Sequence, residues 1–509
     1  MFVRQRPENA LALLGRLPSP ILTPVLQHQP LQWTLWAVLL SGALLSVGGA
    51  SAPDVDAGTR NGPEPTGDTA RFLGDWVGTL TLGDTDLRVV FRLQTDADEE
   101  LVGTMDSPDQ GATDIPLGTI LVDGDTLRLE VPSIAGAYAG VLSDSARILD
   151  GQWVQGGRRL PLRLERTANA PAVLRPQEPS MPYPYESEIV TFRNEEAGVS
   201  LEGTLTRPQT KDPVPAVVLA ADSGPSDRNA TVMGHKPFLV LADALTRRGL
   251  AVLRFDERGV GGSGGSQSGA TTDELSGDVE AAVEALAQRE DVRADDIGVI
   301  GHGEGGLMAS LVARRSDRVA FLVLLSTPGL PGDVLLADQL DRRIRRQGAT
   351  ERVRALQRGT QQHIFDILKT DADSATIASD LRKVMIQSRG ISGERTITRE
   401  IERLMNPWLR FYISHDPRDV LSEVDVPVLA LAGAKDQQVD PDTNQAAIAR
   451  ALDAEQNPDV TVRTLEGLNH QFQTAETGVP SEYGRIEETF DPGAIDVIVD
   501  WIDEQVGGS

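Results

Sequence analysis

Ile297-Gly298-Val299-Ile300-Gly301-His302-Gly303-Glu304-Gly305-Gly306-Leu307 is the stretch on which the fold turns. Its apolar start, 297–300, reads as a strand, and 307–314 continues as a helix. The glycines between them fit a tight turn past which neighbouring backbone runs closely. In G-x-S-x-G sequences, the same strand–turn–helix arrangement projects the central residue at the top of a sheet. Here that residue is Gly303, which has no side chain and cannot attack anything. The next amide, that of Glu304, opens a helix and is suited to stabilise a developing oxyanion. Taken alone, the stretch reads sooner as a glycine-rich strand-to-helix turn, and it is its partners that raise the catalytic reading.

Outward from this turn the chain alternates strands and helices. Residues 216–221 form a continuous apolar run, suited to a strand buried on both faces. A helix is predicted over 238–248, with Leu239, Ala242 and Leu245 at helical spacing, and a strand over 250–255. An amphipathic helix over 273–289 places Val279, Val283 and Leu286 on one face. Strands at 319–325, 426–432 and 460–465 and a helix near 494–502 complete the set. Repeated βα units predict a mostly parallel sheet covered by helices on both faces, spanning 188–509. The rhythm stops at 331–422, a charged helical segment too long for a plain loop, which predicts a cap over the end of the sheet.

Three loops carry candidate chemistry. Asp436 lies just past the strand at 426–432, where an acid that orients a histidine belongs, and Asp440 is the reserve for that role. His470 follows the last strand and precedes the last helix. The chain order of 303, 436 and 470 is nucleophile, acid, histidine. Alone, Asp436 reads as an ordinary turn aspartate and His470 as a surface histidine. The loop after the first buried strand, Asp222-Ser223-Gly224-Pro225-Ser226-Asp227-Arg228-Asn229, is placed to supply a second oxyanion amide. Ser223 or Gly224 would be its donor, because Pro225 has no N–H. The glycines of 256–263 suggest a phosphate loop, but no GKS/T follows, and a structural turn near the site is the better reading.

Composition narrows the function. The chain of 509 residues carries 75 acidic and 48 basic residues, a net charge of −27, and only five of the basic residues are lysines. Such a surface repels phosphate backbones and argues against a nucleic-acid partner. It fits salt adaptation as well as plain acidity. Without cysteine there is neither disulfide nor thiolate chemistry. Six scattered histidines without paired ligand spacing predict no catalytic metal, and no cofactor motif is present.

The N-terminal residues 1–52 read as an export signal: arginines, an apolar centre at 36–47, then Ala50-Ser51-Ala52 as an A-x-A cleavage site. Pro53 sits awkwardly for cleavage, which leaves an uncleaved anchor as the alternative, the one case in which a membrane is a partner. Residues 53–70 read as a disordered linker. Short alternating runs broken by Gly and Asp over 71–168 predict an all-β sandwich or barrel without a catalytic constellation. The proline-dense 169–187 reads as a semi-rigid spacer.

SGPSDRN at 223–229, GHKPFLVLADAL at 234–245, FDERGVGGS at 255–263, IGVIGHGEGG at 297–306, GAKDQQVDP at 433–441 and NHQF at 469–472 together resemble a known family. It is that of bacterial α/β-hydrolase carboxylesterases with a serine aminopeptidase-like core and a small β domain in front. MDSPDQGA at 105–112 is similar to that β domain, so the resemblance runs from about residue 76 to the C-terminus. It implies an α/β-hydrolase fold and hydrolysis of short carboxylic esters through an acyl-serine. It also implies His470 as base, Asp436 as its orienter, and an oxyanion hole from Glu304 N–H and the Ser223–Gly224 loop. The family pattern is GHSEGG, from which Gly303 departs. Three accounts follow: an esterase frame with an isolated change, a non-catalytic binder of esters or peptides, or another nucleophile, such as water activated by His470 or the hydroxyl of Ser326. A serine aminopeptidase-like peptidase is the alternative activity.

Overall fold

The computed structural model describes residues 69–82, 85–96, 100–110, 112–170, 174–389, 394–452 and 459–507. Residues 1–52, predicted above to be an export signal, and most of the following predicted linker lie outside them.

Nine strands form the first unit: β1 (Gly74–Leu82), β2 (Thr85–Thr95), β3 (Leu101–Ser107), β4 (Ala112–Pro116), β5 (Ile120–Asp123), β6 (Thr126–Val131), β7 (Gly136–Leu142), β8 (Ile148–Gln155) and β9 (Arg158–Thr167). They pair in the order β4-β3-β2-β1-β9-β8-β7-β6-β5, with antiparallel neighbours throughout. The alternation read from the sequence sends every second residue inward. Trp76 faces Phe91 across β1–β2, and Tyr138 faces Trp153 across β7–β8. All four are buried in one cluster with Leu127 and Leu149. The result is one sheet wrapped around one core, not two stacked sheets.

The second unit is an eight-stranded sheet made of β10 (Glu186–Asn194), β11 (Val199–Arg207), β12 (Val214–Ala220), β13 (Ala251–Phe255), β14 (Val292–His302), β15 (Phe321–Leu325), β16 (Val428–Gly433) and β17 (Val460–Leu465). Its order is β10-β11-β13-β12-β14-β15-β16-β17. The pairs from β13 to β17 are parallel, while β10–β11 and β11–β13 are antiparallel. The sequence reading missed β10 and β11, in which polar residues interrupt the apolar positions and break up the run that marks the central strands. Along β12, Ala216 and Val218 enter the core on one face, and Val217 and Leu219 enter that on the other. That is why the buried strands read as unbroken apolar runs.

Helices α1 (Pro237–Arg247), α2 (Thr272–Ala287) and α3 (Glu304–Arg315) alternate with the central strands. The predicted cap is present as α4 (Gly332–Arg346), α5 (Glu351–Leu368), α6 (Ser374–Arg389), α7 (Glu394–Leu404), α8 (Pro407–Ser414) and α9 (Pro417–Leu421). It has a core of its own that includes Leu335, Phe365, Leu381, Ile401 and Ile413. Helices α10 (Pro441–Leu452) and α11 (Pro492–Val506) complete the unit. Among the described residues, no helix is long and apolar enough to cross a membrane.

The proline-dense stretch is not a free spacer. The Arg175 guanidinium donates to the carbonyls of Met233, Gly234, Gly484 and Ile486, and Gln177 bonds the backbone of Thr489 and Phe490. Two polar residues among the prolines therefore fasten it to the second unit. Arg485 on that unit reaches back, donating to the carbonyl of Asp86 and pairing with Asp109 of the β unit.

Candidate active site

The turn at 303 has the shape its sequence implied. Strand β14 ends at His302, Gly303 takes φ +55 and ψ −119, and α3 begins at Glu304. A non-glycine residue holds that conformation only under strain, as at a nucleophile-bearing turn. The space beside it is filled from another loop. A Cβ added at Gly303 would overlap Oδ1 and Cγ of Asp222 and stand 2.9 Å from Oδ2. The carboxylate of Asp222, two residues past the end of β12, occupies the volume a side chain at 303 would need.

Both oxygens of that carboxylate are engaged. Oδ1 accepts from the amides of Glu304 at 3.0 Å and Ser223 at 2.7 Å. These are two of the donors expected for an oxyanion; Gly224 follows in the loop at φ +97. Oδ2 lies 3.1 Å from His470 Nε2. On the other side of the imidazole, Nδ1 lies 2.8 Å from Asp436 Oδ2. Asp436 is itself oriented by the amides of Gln438 and Val439, which donate to its Oδ1 at 2.7 and 2.9 Å. The structure thus brings Gly303, Asp436 and His470 together at adjacent strand ends and inserts Asp222 between the turn and the histidine.

This changes the charge of the imidazole. Burial opposes a charge on His470, but Asp436 and Asp222 outweigh it and raise its pKa to about 10. At neutral pH it is an imidazolium donating to two carboxylates. Burial would raise Asp222, yet its bond to His470 and that charge hold it below the usual carboxylate range. The side chains of His470 and Asp436 are 2% and 0% exposed, whereas that of Asp222 is 33% exposed. Asp222 is the member of the trio that faces accessible space.

Two sequence candidates are placed elsewhere. Asp440, the reserve acid, caps α10 through Thr443 and pairs with Arg342 of the cap, so it does not reach the histidine. Ser326, the alternative nucleophile, is fully buried, and its hydroxyl donates to the His470 carbonyl at 3.2 Å. His302 bonds the same carbonyl through Nε2 at 2.9 Å, and together they fix the histidine loop from below. Asp222 was quoted in the sequence but given no role. A signal was there: a carboxylate ends the strand–loop junction while the facing position is stripped to glycine.

The surroundings hold the loop and supply buried acids. Arg228 places its guanidinium on Asp256 and Glu202, which ties the 222–229 loop to the turn after β13 and to β11. The glycine-rich 256–263 is accordingly the structural turn expected. Burial raises the carboxyls of Glu304 and Glu257, the latter to about 8. Glu304 accepts from Thr272 Oγ1 at 2.5 Å and from Trp408 Nε1 of the cap at 2.7 Å. Asp222, His302 and His470 offer ligand atoms within 4.8 Å of one another, close enough to gather a cation. A cation there would have to displace the proton that His470 holds.

Comparison with known proteins gives the chain a family. The family model for X-Pro dipeptidyl-peptidases (S15 family) matches residues 197–463, just over half of the chain. Esterase EstD of Thermotoga maritima is 26% identical over 305 residues, which cover 59% of this chain. The match spans 65% of that relative's length. Among solved structures, a hypothetical protein from Pseudomonas aeruginosa aligns with TM-score 0.40 and 18% identity, covering 67% of this chain and all of that one. Est1E from Butyrivibrio proteoclasticus aligns with TM-score 0.37 and 15% identity, covering 63% and 99% of the two chains. Given the extent of the family match and the strand order that carries Gly303, Asp436 and His470, the chain belongs to the X-Pro dipeptidyl-peptidase (S15) family of α/β-hydrolases.

Proposed function

We propose that the second unit is built as a carboxylic ester hydrolase for small-molecule esters, with its serine route shut. One observation carries the reading: the Asp222 carboxylate fills the place of a side chain at 303, takes the Glu304 and Ser223 amides, and occupies His470 Nε2. An ester entering here meets no side chain at 303, finds the Glu304 and Ser223 amides already taken, and faces a charged imidazole. Acceleration through the remaining frame is then no more than the ~10³–10⁴-fold over water that a hydrolase keeps after losing a triad member. The likeness to esterase EstD supports an ester over a peptide substrate.

The test is a double change. Gly303→Ser alone places a side chain on top of Asp222 and gains little. Asp222→Gly with Gly303→Ser clears the volume and frees the amides. We expect its kcat/KM on p-nitrophenyl acetate to rise at least about a hundredfold over the parent. A folded double variant no faster than the parent sinks the proposal. A gain confined to an X-Pro p-nitroanilide would reassign the frame to a peptidase. The proposal includes export through residues 1–52, for which secreted protein beginning at Pro53 is the expected N-terminal sequencing result.

A further inference from the structure

We propose that Asp222 replaces the missing serine as nucleophile, and that its substrate is an epoxide, whose ring carbon it attacks to form an alkyl ester on its own carboxylate. This rests on the reading above that the site around His470 is a hydrolytic centre closed to serine chemistry.

The geometry separates two kinds of electrophile. A carbonyl substrate needs the oxyanion donors in its first step, and Asp222 Oδ1 already holds the Glu304 and Ser223 amides. An sp³ carbon needs none in that step. The donors are needed later, when Asp222 Cγ becomes tetrahedral and negative charge gathers on Oδ1, and they are already on that atom. Carboxylates serve as covalent nucleophiles elsewhere in enzymology. This one is the exposed member of its trio, and its Oδ2 turns toward the imidazole that must handle the protons.

The steps balance. Oδ2 of Asp222 forms a C–O bond as the epoxide C–O bond breaks, and the ring oxygen departs as an alkoxide tethered to the same molecule. His470 gives its Nε2 proton to that oxygen. Esterified Asp222 no longer carries the charge that helped to keep the imidazole protonated, so this transfer is favoured. Neutral His470, held by Asp436, then takes a proton from water as the hydroxide adds to Cγ. The tetrahedral centre collapses as His470 returns that proton to the departing alkyl oxygen, the new Asp222 carboxylic acid gives its own proton to His470, and diol, carboxylate and imidazolium are restored. The net reaction is epoxide plus water to diol, with no other reactant. The need to protonate a departing oxygen is what selects an epoxide over an alkyl halide, since halide leaves without a proton.

The experiment uses the full chain and styrene oxide. In a single turnover in ¹⁸O-water with protein in excess, we expect one ¹⁸O in the peptide containing Asp222 and none from solvent in the first diol. Label in the diol without label in Asp222, or no diol at all, overturns the proposal. Acid quenching during that turnover should catch one substrate mass on the Asp222 peptide of the parent, because alkylation precedes attack by water. An adduct on another residue also overturns it, and so does a folded His470→Gln protein that forms diol at the parental rate, since that variant lacks both the proton donor and the base. Asp222→Asn should lose at least about a thousandfold of diol formation. The esterase gain of the double variant is independent: if it occurs without ¹⁸O in Asp222, only the present inference falls.

Discussion

At Gly303 the backbone takes the positive-φ conformation of a nucleophile-bearing turn, and the space that a side chain there would need belongs to Asp222. The two residues should be energetically coupled. Gly303→Ala meets backbone strain of about 1–3 kcal/mol together with overlap on the carboxylate. We expect it to destabilise the unit by about 2–4 kcal/mol in urea denaturation. In an Asp222→Gly background the same change should be milder by about 1 kcal/mol or more, and strict additivity would show that Asp222 swings aside freely. The imidazole gives a second check. His470 titrates near pH 10 when folded, above its unfolded value of about 6.5. Its contribution to stability is therefore complete below pH ~6.5 and is lost as pH rises through 10. Asp222→Asn removes one of the two carboxylates, so the folded pKa falls and the loss ends at lower pH. Urea midpoints measured from pH 6 to 10 should fall less steeply in that variant; parallel profiles would show that the imidazole is not held charged by Asp222.

At the scale of the element, the 222–229 loop is held by side chains rather than by strand pairing. Arg228 donates through Nε and Nη2 to the two oxygens of Asp256 and through Nη2 also to Glu202 Oε1 at 2.6 Å. Removing one partner of such a largely buried network costs about 3–5 kcal/mol, because the remaining charges are left unpaired. Arg228→Ala should lose stability of that order in a thermal or urea melt, and Arg228→Lys should not restore it, since an ammonium cannot grip a carboxylate at two points. An Arg228→Ala protein as stable as its parent would mean that the loop is held otherwise. The strands were legible in the sequence because burial on both faces demands apolar runs such as Ala216-Val217-Val218-Leu219-Ala220, and the order of Gly303, Asp436 and His470 was legible because each sits just past a strand end. The Arg228 clamp and the Asp222–Gly303 exchange were not. They depend on which loops the strand order brings together: β12 and β14 are neighbours although α1, β13 and α2 lie between them in the chain. Strands β10 and β11 escaped for a local reason, since polar residues such as Glu188, Thr191, Ser200 and Thr204 interrupt their apolar positions.

At the scale of the whole molecule, the stretch between the two units was misjudged because composition speaks for stiffness and says nothing of docking. Residues 174–185 run through turns and bends rather than a strand, and Arg175 and Gln177 decide where they lie. Four carbonyl oxygens of the second unit, from Met233, Gly234, Gly484 and Ile486, converge on one guanidinium. Hydrogen bonds to a charged group contribute about 1.5–3 kcal/mol each when isolated, and less when they share a donor. Arg175→Ala should therefore release the strap without unfolding either core, because none of the buried clusters includes it. Limited proteolysis with thermolysin reads that release directly: cleavage between 169 and 187 should speed up at least about tenfold, the factor that a local opening easier by ~1.4 kcal/mol produces when opening precedes cleavage. The two fragments should keep their separate melting transitions. Arg485 ties the β unit back through Asp86 and Asp109, so adding Arg485→Ala should separate the fragments more readily on gel filtration than Arg175→Ala alone. Unchanged cleavage in Arg175→Ala would return the stretch to the passive spacer that its prolines suggest.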